Sequence, residues 1–387
     1  MLPELAYLHG KPKPTGLLRV KQSDFRVFEQ LPFLPCGEGE HLLIHIRKTG
    51  ANTVFVAREL AKYFKVKEQL VSYAGLKDRF AVAEQWFGVH VPGKQEYDLN
   101  DLTVEGVEVL SYKRHNKKLR TGALTGNRFE LILREITDLK ALYERWEKIV
   151  EHGVPNYFGE QRFGIDGGNI DKALALFAGT KVKDKKKRGM YLSAARSYIF
   201  NDIINERIKE NIFSKVQVGD VVMLAGTQSV FRLDEIDDVI KQRLKDKDVD
   251  ITASMWGAGE LMTDAKSKTF EQHVADNHNE FSQGLPRFGL KQERRRIRLV
   301  IDGADIEVLS NESTVNETST NAASANEASP NIGSINDALP AVKISFSLAA
   351  GSYATTVLRE LIDYRDCTQR VNVKAGANTE QISEQGK

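Results

Sequence analysis

The sequence is poor in the residues that mark several protein classes, and each shortage excludes something. It holds only two cysteines, Cys36 and Cys367, far apart in 387 residues. Such a pair offers neither a disulfide framework nor a zinc knuckle, and it fits a reducing compartment. No apolar run approaches the roughly 18 residues of a membrane span, and the opening Met1-Leu2-Pro3-Glu4 lacks the basic-then-apolar order of a signal peptide. A cytoplasmic protein without membrane association is expected. Excess charge of one sign is missing too: 55 Lys and Arg face 53 Asp and Glu, a formal +2, so the bulk charge gives no reason to expect a nucleic-acid partner.

Cofactor signatures are also lacking. No Gly-x-Gly-x-x-Gly turn follows a strand, which disfavours a dinucleotide enzyme and a methyltransferase with a glycine-rich cofactor turn. Gly88-Val-His-Val-Pro-Gly93-Lys94-Gln95 approaches a phosphate loop, but Gln95 stands where a magnesium-binding hydroxyl is needed and Pro92 removes a backbone donor. The segment reads as a strand and a turn. The eight histidines form no ligand set: His41 and His45 sit in an apolar strand pattern, and His273 and His278 are five apart, off one helical face. No metal is expected.

What is present is a globular composition, 41% hydrophobic and 28% charged, over a length that suits two or three domains. Strand-like segments at Leu42 to Ile46, Glu84 to Val91, Val104 to Leu110 and Arg128 to Arg134 alternate with helical ones. The spacing predicts a helix over Thr53 to Phe64, with Val54, Ala57, Leu60, Ala61 and Phe64 on its apolar face, and another over Asp138 to His152 stopped by Gly153. From Val154 to Leu299 the texture is helical and polar, with a helix over Ser193 to Asn211 capped by Ser193. Strand patterning returns at Arg298 to Leu309 and Val342 to Leu348, before a helix from Ser352 to Asp363. An α+β sheet domain split by a helical insertion is expected, with boundaries at 1–152, 153–300 and 301–387.

Between those last strands, Asn recurs every fifth residue from Asn311 to Asn336. The tract is nearly devoid of large apolar side chains, so burial cannot offset its ordering entropy, and 310–338 reads as a disordered loop. A pentapeptide β-solenoid would need a recurrent inward apolar residue, which is absent. The tract carries four acids and no base, so the +2 of the whole becomes +6 for the remainder. Basic residues also cluster. Ser111 to Arg128 holds Lys113, Arg114, Lys117, Lys118, Arg120 and Arg128 with no acid; Lys181 to Arg188 and Lys291 to Arg298 are similarly basic. Such runs are often solvated faces, but three together make a phosphate-tracking surface plausible, and RNA becomes the expected partner. Lys117, Lys118 and Arg120 are the candidate RNA-backbone contacts.

One segment stands out chemically. In Tyr73-Ala-Gly-Leu-Lys-Asp-Arg-Phe80, a turn between two strands sets Asp78 between Lys77 and Arg79, and neighbouring cations favour the ionised carboxylate that a nucleophile or general base requires. A turn aspartate making a local hydrogen bond is the plainer alternative.

Gly75-Leu-Lys-Asp-Arg79 resembles the catalytic loop of the tRNA pseudouridine synthase D (TruD) family, and further motifs follow in that family's order. They are Ser23-Asp-Phe25-Arg-Val-Phe-Glu29, Gly37-Glu-Gly-Glu-His41, Arg47-Lys-Thr-Gly50, Leu124-Thr-Gly-Asn-Arg-Phe129, Val154-Pro-Asn-Tyr-Phe-Gly-Glu-Gln-Arg-Phe-Gly164, Leu192-Ser-Ala-Ala-Arg-Ser197 and Ala350-Gly-Ser-Tyr-Ala354. The resemblance implies a pseudouridine synthase catalytic domain with a mixed, largely antiparallel sheet, split by an inserted, mainly helical TRUD-type α/β domain. It implies an isomerase that converts a uridine of tRNA, at position 13 in tRNA-Glu-type substrates, without a cofactor. Asp78 falls on the nucleophile, and Phe25, Asn127 and Tyr353 on substrate contacts.

Phe129 and Lys21 join the candidate substrate-binding residues on residue type alone, Phe129 as a ring for a base to stack on and Lys21 as a partner for Asp78. Each has a plainer use: Phe25 and Phe129 as core aromatics, Tyr353 as cover for the sheet, Asn127 as a turn residue, Lys21 as an exposed lysine. A monomer is expected. A non-catalytic tRNA-binding folding chaperone on the same fold is the alternative function.

Overall fold

The computed structural model describes residues 2–93, 95–309 and 339–368; the Asn pentads lie outside them. Two compact units emerge. One, residues 13–144, 301–351 and 362 onward, is built on a mixed sheet; the other, residues 1–12, 145–300 and 352–361, is helical with a smaller sheet.

In chain order the sheet unit opens with β1 (Thr15–Leu18), β2 (Phe25–Gln30) and β3 (His41–Thr49), continues through α1 (Thr53–Tyr63), β4 (Val71–Tyr73), β5 (Val82–His90), β6 (Val107–His115) and β7 (Gly126–Arg134), and reaches α2 (Leu139–His152). The predicted strands are all present, and His90 ends β5 before the Pro92-Gly93 turn, as the strand-and-turn reading expects. Alternation explains β3: Ile44, Ile46 and Lys48 point to one buried face. On α1 the buried side chains are Thr53, Val56, Ala57, Leu60 and Ala61, an i, i+3, i+4, i+7, i+8 stripe. Val54, expected on that face, is 39% exposed; the stripe starts at Thr53, which puts Val54 one position round towards water.

The helical unit follows with β8 (Val154–Pro155), α3 (Gly168–Phe177), α4 (Lys185–Lys209), β9 (Val221–Leu224), β10 (Val230–Arg232), α5 (Asp238–Lys245), β11 (Val249–Met255), α6 (Ala265–Asp276), α7 (Asn279–Arg287), β12 (Glu293–Arg296) and β13 (Arg298–Leu299). The chain returns to the sheet unit for β14 (Asp302–Leu309) and β15 (Ala341–Ala349), then forms α8 (Ala354–Leu361) and β16 (Asp363–Asp366). The main sheet runs β14-β15-β7-β2-β5-β3-β6, with β4 on β5 and β1 between β7 and β16. Among the described residues of this sheet only β2/β5 and β1/β16 are parallel; the remaining pairs are antiparallel, so the sheet is mixed and largely antiparallel.

In the helical unit, Tyr157, Phe158, Phe200, Ile203, Ile204 and Leu285 form a core beside the antiparallel sheet β10-β9-β11-β12. Helix α4 begins eight residues before the expected Ser193, because the Asp184 carboxylate accepts from the Lys186 and Lys187 N–H groups and caps it there. The basic run Lys181 to Arg188 is therefore the exposed entry to this helix. The run Lys291 to Arg298 does not form the expected phosphate surface. Arg294 is buried against Glu271 at 2.7 Å, Arg295 donates to Asn156 Oδ1 at 2.7 Å, Arg296 donates to the Leu224 carbonyl and, on β13, Arg298 lies 3.6 Å from Asp250; these arginines are internal partners. Since Arg294→Met strands the Glu271 charge, it should cost about 3–5 kcal/mol, read as a lower denaturant midpoint.

Candidate active site

Strands β2 and β7 present one functional face. Their register sets Val27 opposite Phe129 and Glu29 opposite Asn127, so side chains two apart on each strand share that face. Phe25 meets Phe129 edge-on with centroids 6.3 Å apart, and Phe129 stacks on Phe346 at 5.5 Å. Both Phe25 and Phe129 are buried. Their rings build the floor of the face.

The loop between β4 and β5 hangs over that floor, fixed at nearly every residue. Ala74 accepts from the Gly122 N–H at 2.7 Å, and Gly75 accepts from Gln85 Nε2 at 2.5 Å. The Lys77 N–H donates to Thr53 Oγ1 at 3.0 Å, and that hydroxyl donates to Gln85 Oε1. Beneath the loop lies Lys48, wholly buried, whose ammonium donates to the carbonyls of Ala51 at 2.8 Å, Asp78 at 2.7 Å and, more weakly, Lys77 at 3.4 Å. Burial pulls the Lys48 pKa down to about 8, against the Asp78 charge, which raises it, and with Lys77, which lowers it further.

Asp78 is thereby presented with both oxygens engaged. Oδ1 accepts from the Phe80 N–H at 3.0 Å, an Asx-type turn, and Oδ2 lies 2.5 Å from Arg19 Nη1. Arg19 follows β1 in the left-handed region, at φ 58°, which few residues other than glycine adopt. This backbone aims the guanidinium between two carboxylates: Nε donates to Asp366 Oδ1 at 3.2 Å, and Nη2 pairs with Asp366 Oδ2. Burial works against the Asp366 charge, but the hydrogen bonds and charge of Arg19, together with hydrogen bonds from the Thr368 N–H and hydroxyl, outweigh it and hold this carboxyl below the usual range. Arg19 also lies 5.3 Å from the centre of the Phe25 ring, within cation–π reach.

Lys21 does not take this position. It is exposed at the start of a 3₁₀ turn, with its N–H bonded to Asp24 Oδ2. Lys77 links the loop to the floor: its ammonium lies 2.9 Å from buried Glu29 Oε1 and 2.6 Å from Asn127 Oδ1. Lys117, Lys118 and Arg120 are exposed on the β6–β7 loop, which buried Leu119 anchors against Leu43 and Ala74. Tyr353 belongs to the other unit, where its hydroxyl accepts from Arg162 Nη2 at 3.0 Å and its ring meets Phe158 edge-on.

The site thus joins a fixed carboxylate, its half-buried guanidinium partner and an aromatic floor, beside an exposed basic loop. The family model for tRNA pseudouridine synthase D (TruD) matches residues 3–172 and 178–361. The chain belongs to the TruD family. It is 70% identical over 378 residues to the tRNA pseudouridine synthase D of Colwellia psychrerythraea, covering 97% of this chain and 98% of that one. It is 41% identical to that of Aeromonas hydrophila, over 98% and 100%. A crystal structure from Methanosarcina mazei, described as a candidate tRNA pseudouridine synthase D, shares the fold at TM-score 0.67 and 20% identity, over 92% of this chain and 95% of that one.

In this TruD-family chain, sequence reasoning passed over four members of the site: Arg19, Glu29, Lys48 and Asp366. Glu29 and Lys48 each lie inside a quoted motif, and a lysine that continues the apolar alternation Ile44, Ile46, Lys48 was a legible sign of a buried ammonium. Asp366 carried no such sign, because its role depends on the parallel pairing of β16 with β1, which sets it opposite Leu18. Among the described residues no group of three His, Cys, Asp or Glu could hold a metal ion, and no helix is long and apolar enough to cross a membrane.

Proposed function

We propose that the chain is a tRNA pseudouridine synthase that isomerises uridine 13 of a tRNA-Glu-type substrate, using Asp78 as nucleophile and no cofactor. The observation that carries this reading is the Asp78 carboxylate held at 2.5 Å from Arg19 on a loop pinned to the sheet. The N1–C1′ bond of uridine breaks, a C5–C1′ bond forms, the C5 proton leaves and N1 gains one. Atoms and electrons balance without an external oxidant or reductant. A carboxylate serves this chemistry by attack at C1′ or C6, or by removing the C2′ proton to give a glycal. Each route needs the uridine out of its helix, at a cost of a few kcal/mol.

In this reading Phe25 and Asn127 receive the flipped nucleotide, with stacking worth about 1–3 kcal/mol per base, and Tyr353 is a substrate contact of its own unit. Phe129 acts through Phe25 and Phe346, since it is packed between them. The split-domain arrangement with boundaries at 1–152, 153–300 and 301–387 forms part of the same proposal. Lys117, Lys118 and Arg120 would hold phosphates. Neutralising all three should weaken binding across tRNAs and reduce the slope of log K against log salt by about 0.7–0.9 per lost contact; an unchanged slope would place that loop on an idle face. The direct test is to incubate unmodified tRNA with the protein and no added cofactor, then map pseudouridine chemically. Absence of product would overturn the proposal.

A further inference from the structure

Lys77 sits beside Asp78 in sequence but is not built to touch RNA. Its side chain is 6% exposed and its charge is matched by Glu29, itself fully buried, at 2.9 Å. Neither a phosphate contact nor a mobile acid suits a lysine so enclosed. Its ammonium also donates to Asn127 Oδ1, at 2.6 Å. Glu29 and Asn127 are directly opposed across β2 and β7, and Lys77 reaches both from the loop above.

The consequence lies in the amide. An ammonium has donors and no acceptor, so it can hold only the oxygen end of an asparagine. Asn127 therefore has its orientation set by chemistry: Oδ1 is occupied, and Nδ2, which donates to no group among the described residues, is turned the other way. Half-buried Asn127 offers a substrate N–H groups only. Without Lys77 the amide could rotate and offer either end.

We infer that Lys77 is a specificity-determining positioning residue: it locks the Asn127 amide as a one-way donor that meets the 4-carbonyl of uracil and repels the 4-amino group of cytosine. This rests on the proposed function, since it takes a pyrimidine in RNA as the substrate. Uracil and cytosine share their 2-carbonyl, and at position 4 one carries an acceptor where the other carries a donor. A fixed donor there separates them, because the wrong base would set N–H against N–H and leave a desolvated group unpaired.

The test uses the full chain with Asp78→Asn, so that binding is read without turnover, and tRNA transcripts with uridine or cytidine at the position that the unmutated enzyme converts. Uridine should bind about tenfold or more tighter. Adding Lys77→Met should bring the ratio of the two Kd values close to one. Adding Asn127→Asp, nearly isosteric and still able to pair with Lys77, leaves an outward acceptor and should turn the preference towards cytidine. Its added charge weakens both transcripts alike and cancels in the ratio. If Lys77→Met does not fold, the Asn127→Asp ratio decides. A ratio unchanged in either variant, with both transcripts weakened equally, would overturn the inference and leave Lys77 as a loop support. Failure of the underlying function would look different: the unmutated enzyme would make no pseudouridine at all.

Discussion

Asp78→Asn should abolish pseudouridine formation, with a fall of about 10⁴-fold or more, and should leave the Kd for tRNA nearly unchanged. The carboxylate has two partners, the Phe80 N–H on Oδ1 and Arg19 on Oδ2. Asparagine keeps one carbonyl oxygen, enough for the Phe80 turn, and places an amide N–H group towards the guanidinium. Arg19 loses that contact but keeps Asp366, so its charge is not stranded and the loop, pinned through Lys48, Thr53 and Gln85, stays in place. The basic residues of the β6–β7 loop are untouched. Chemistry is thus removed with little change in folding or RNA affinity, which single-turnover assays and binding titrations would separate. A residual rate within about a hundredfold of the unmutated enzyme would remove Asp78 from the nucleophile's role. A chaperone makes the opposite forecast, that the variant keeps its whole cellular function while forming no pseudouridine.

How much of this was legible follows from where each residue's information lies. The α+β class, the strands and the reactive loop are written in local alternation, turn residues and contiguous motifs, and Asp78, Phe25, Asn127 and Phe129 do converge around Arg19 and Lys77. Of the two readings of Lys21, partner of Asp78 or exposed lysine, the exposed one holds; Arg19 takes the partner's place, because sequence gives proximity along the chain but not the left-handed turn at Arg19. The run Lys291 to Arg298 misled for a related reason. Charge counted along a strand does not reveal which residues find partners within the fold, and here Arg294, Arg295 and Arg296 meet Glu271, Asn156 and the Leu224 carbonyl. Net charge near zero was uninformative in the same way, since it averages the exposed loop at Lys117, Lys118 and Arg120 with arginines already paired inside.

Lys48→Met should lower kcat by about 10²-fold, the scale expected when a reacting group is displaced by about 1 Å, with a smaller change in KM. Methionine fills similar space but cannot donate to the Ala51, Lys77 and Asp78 carbonyls, so the backbone that carries the carboxylate loses its underside. Stability should move less than activity, because removing a desolvated ammonium offsets part of the loss of its hydrogen bonds. The pH dependence sharpens the distinction. The Lys48 pKa is about 8 in the folded chain, below the ordinary lysine value, so from about pH 8 up to about 10.4 the unfolded chain binds a proton that the folded chain has released. Over that window the Lys48 contribution makes stability rise with pH. Activity should fall over the same window, since the neutral amine has two hydrogens for three carbonyls. Opposite trends in kcat and denaturation midpoint above pH 8, with the kcat decline absent in Lys48→Met, would identify the lysine as the support that positions Asp78. A parallel decline of both quantities would show instead that the alkaline loss is unfolding and that Lys48 only fills the core.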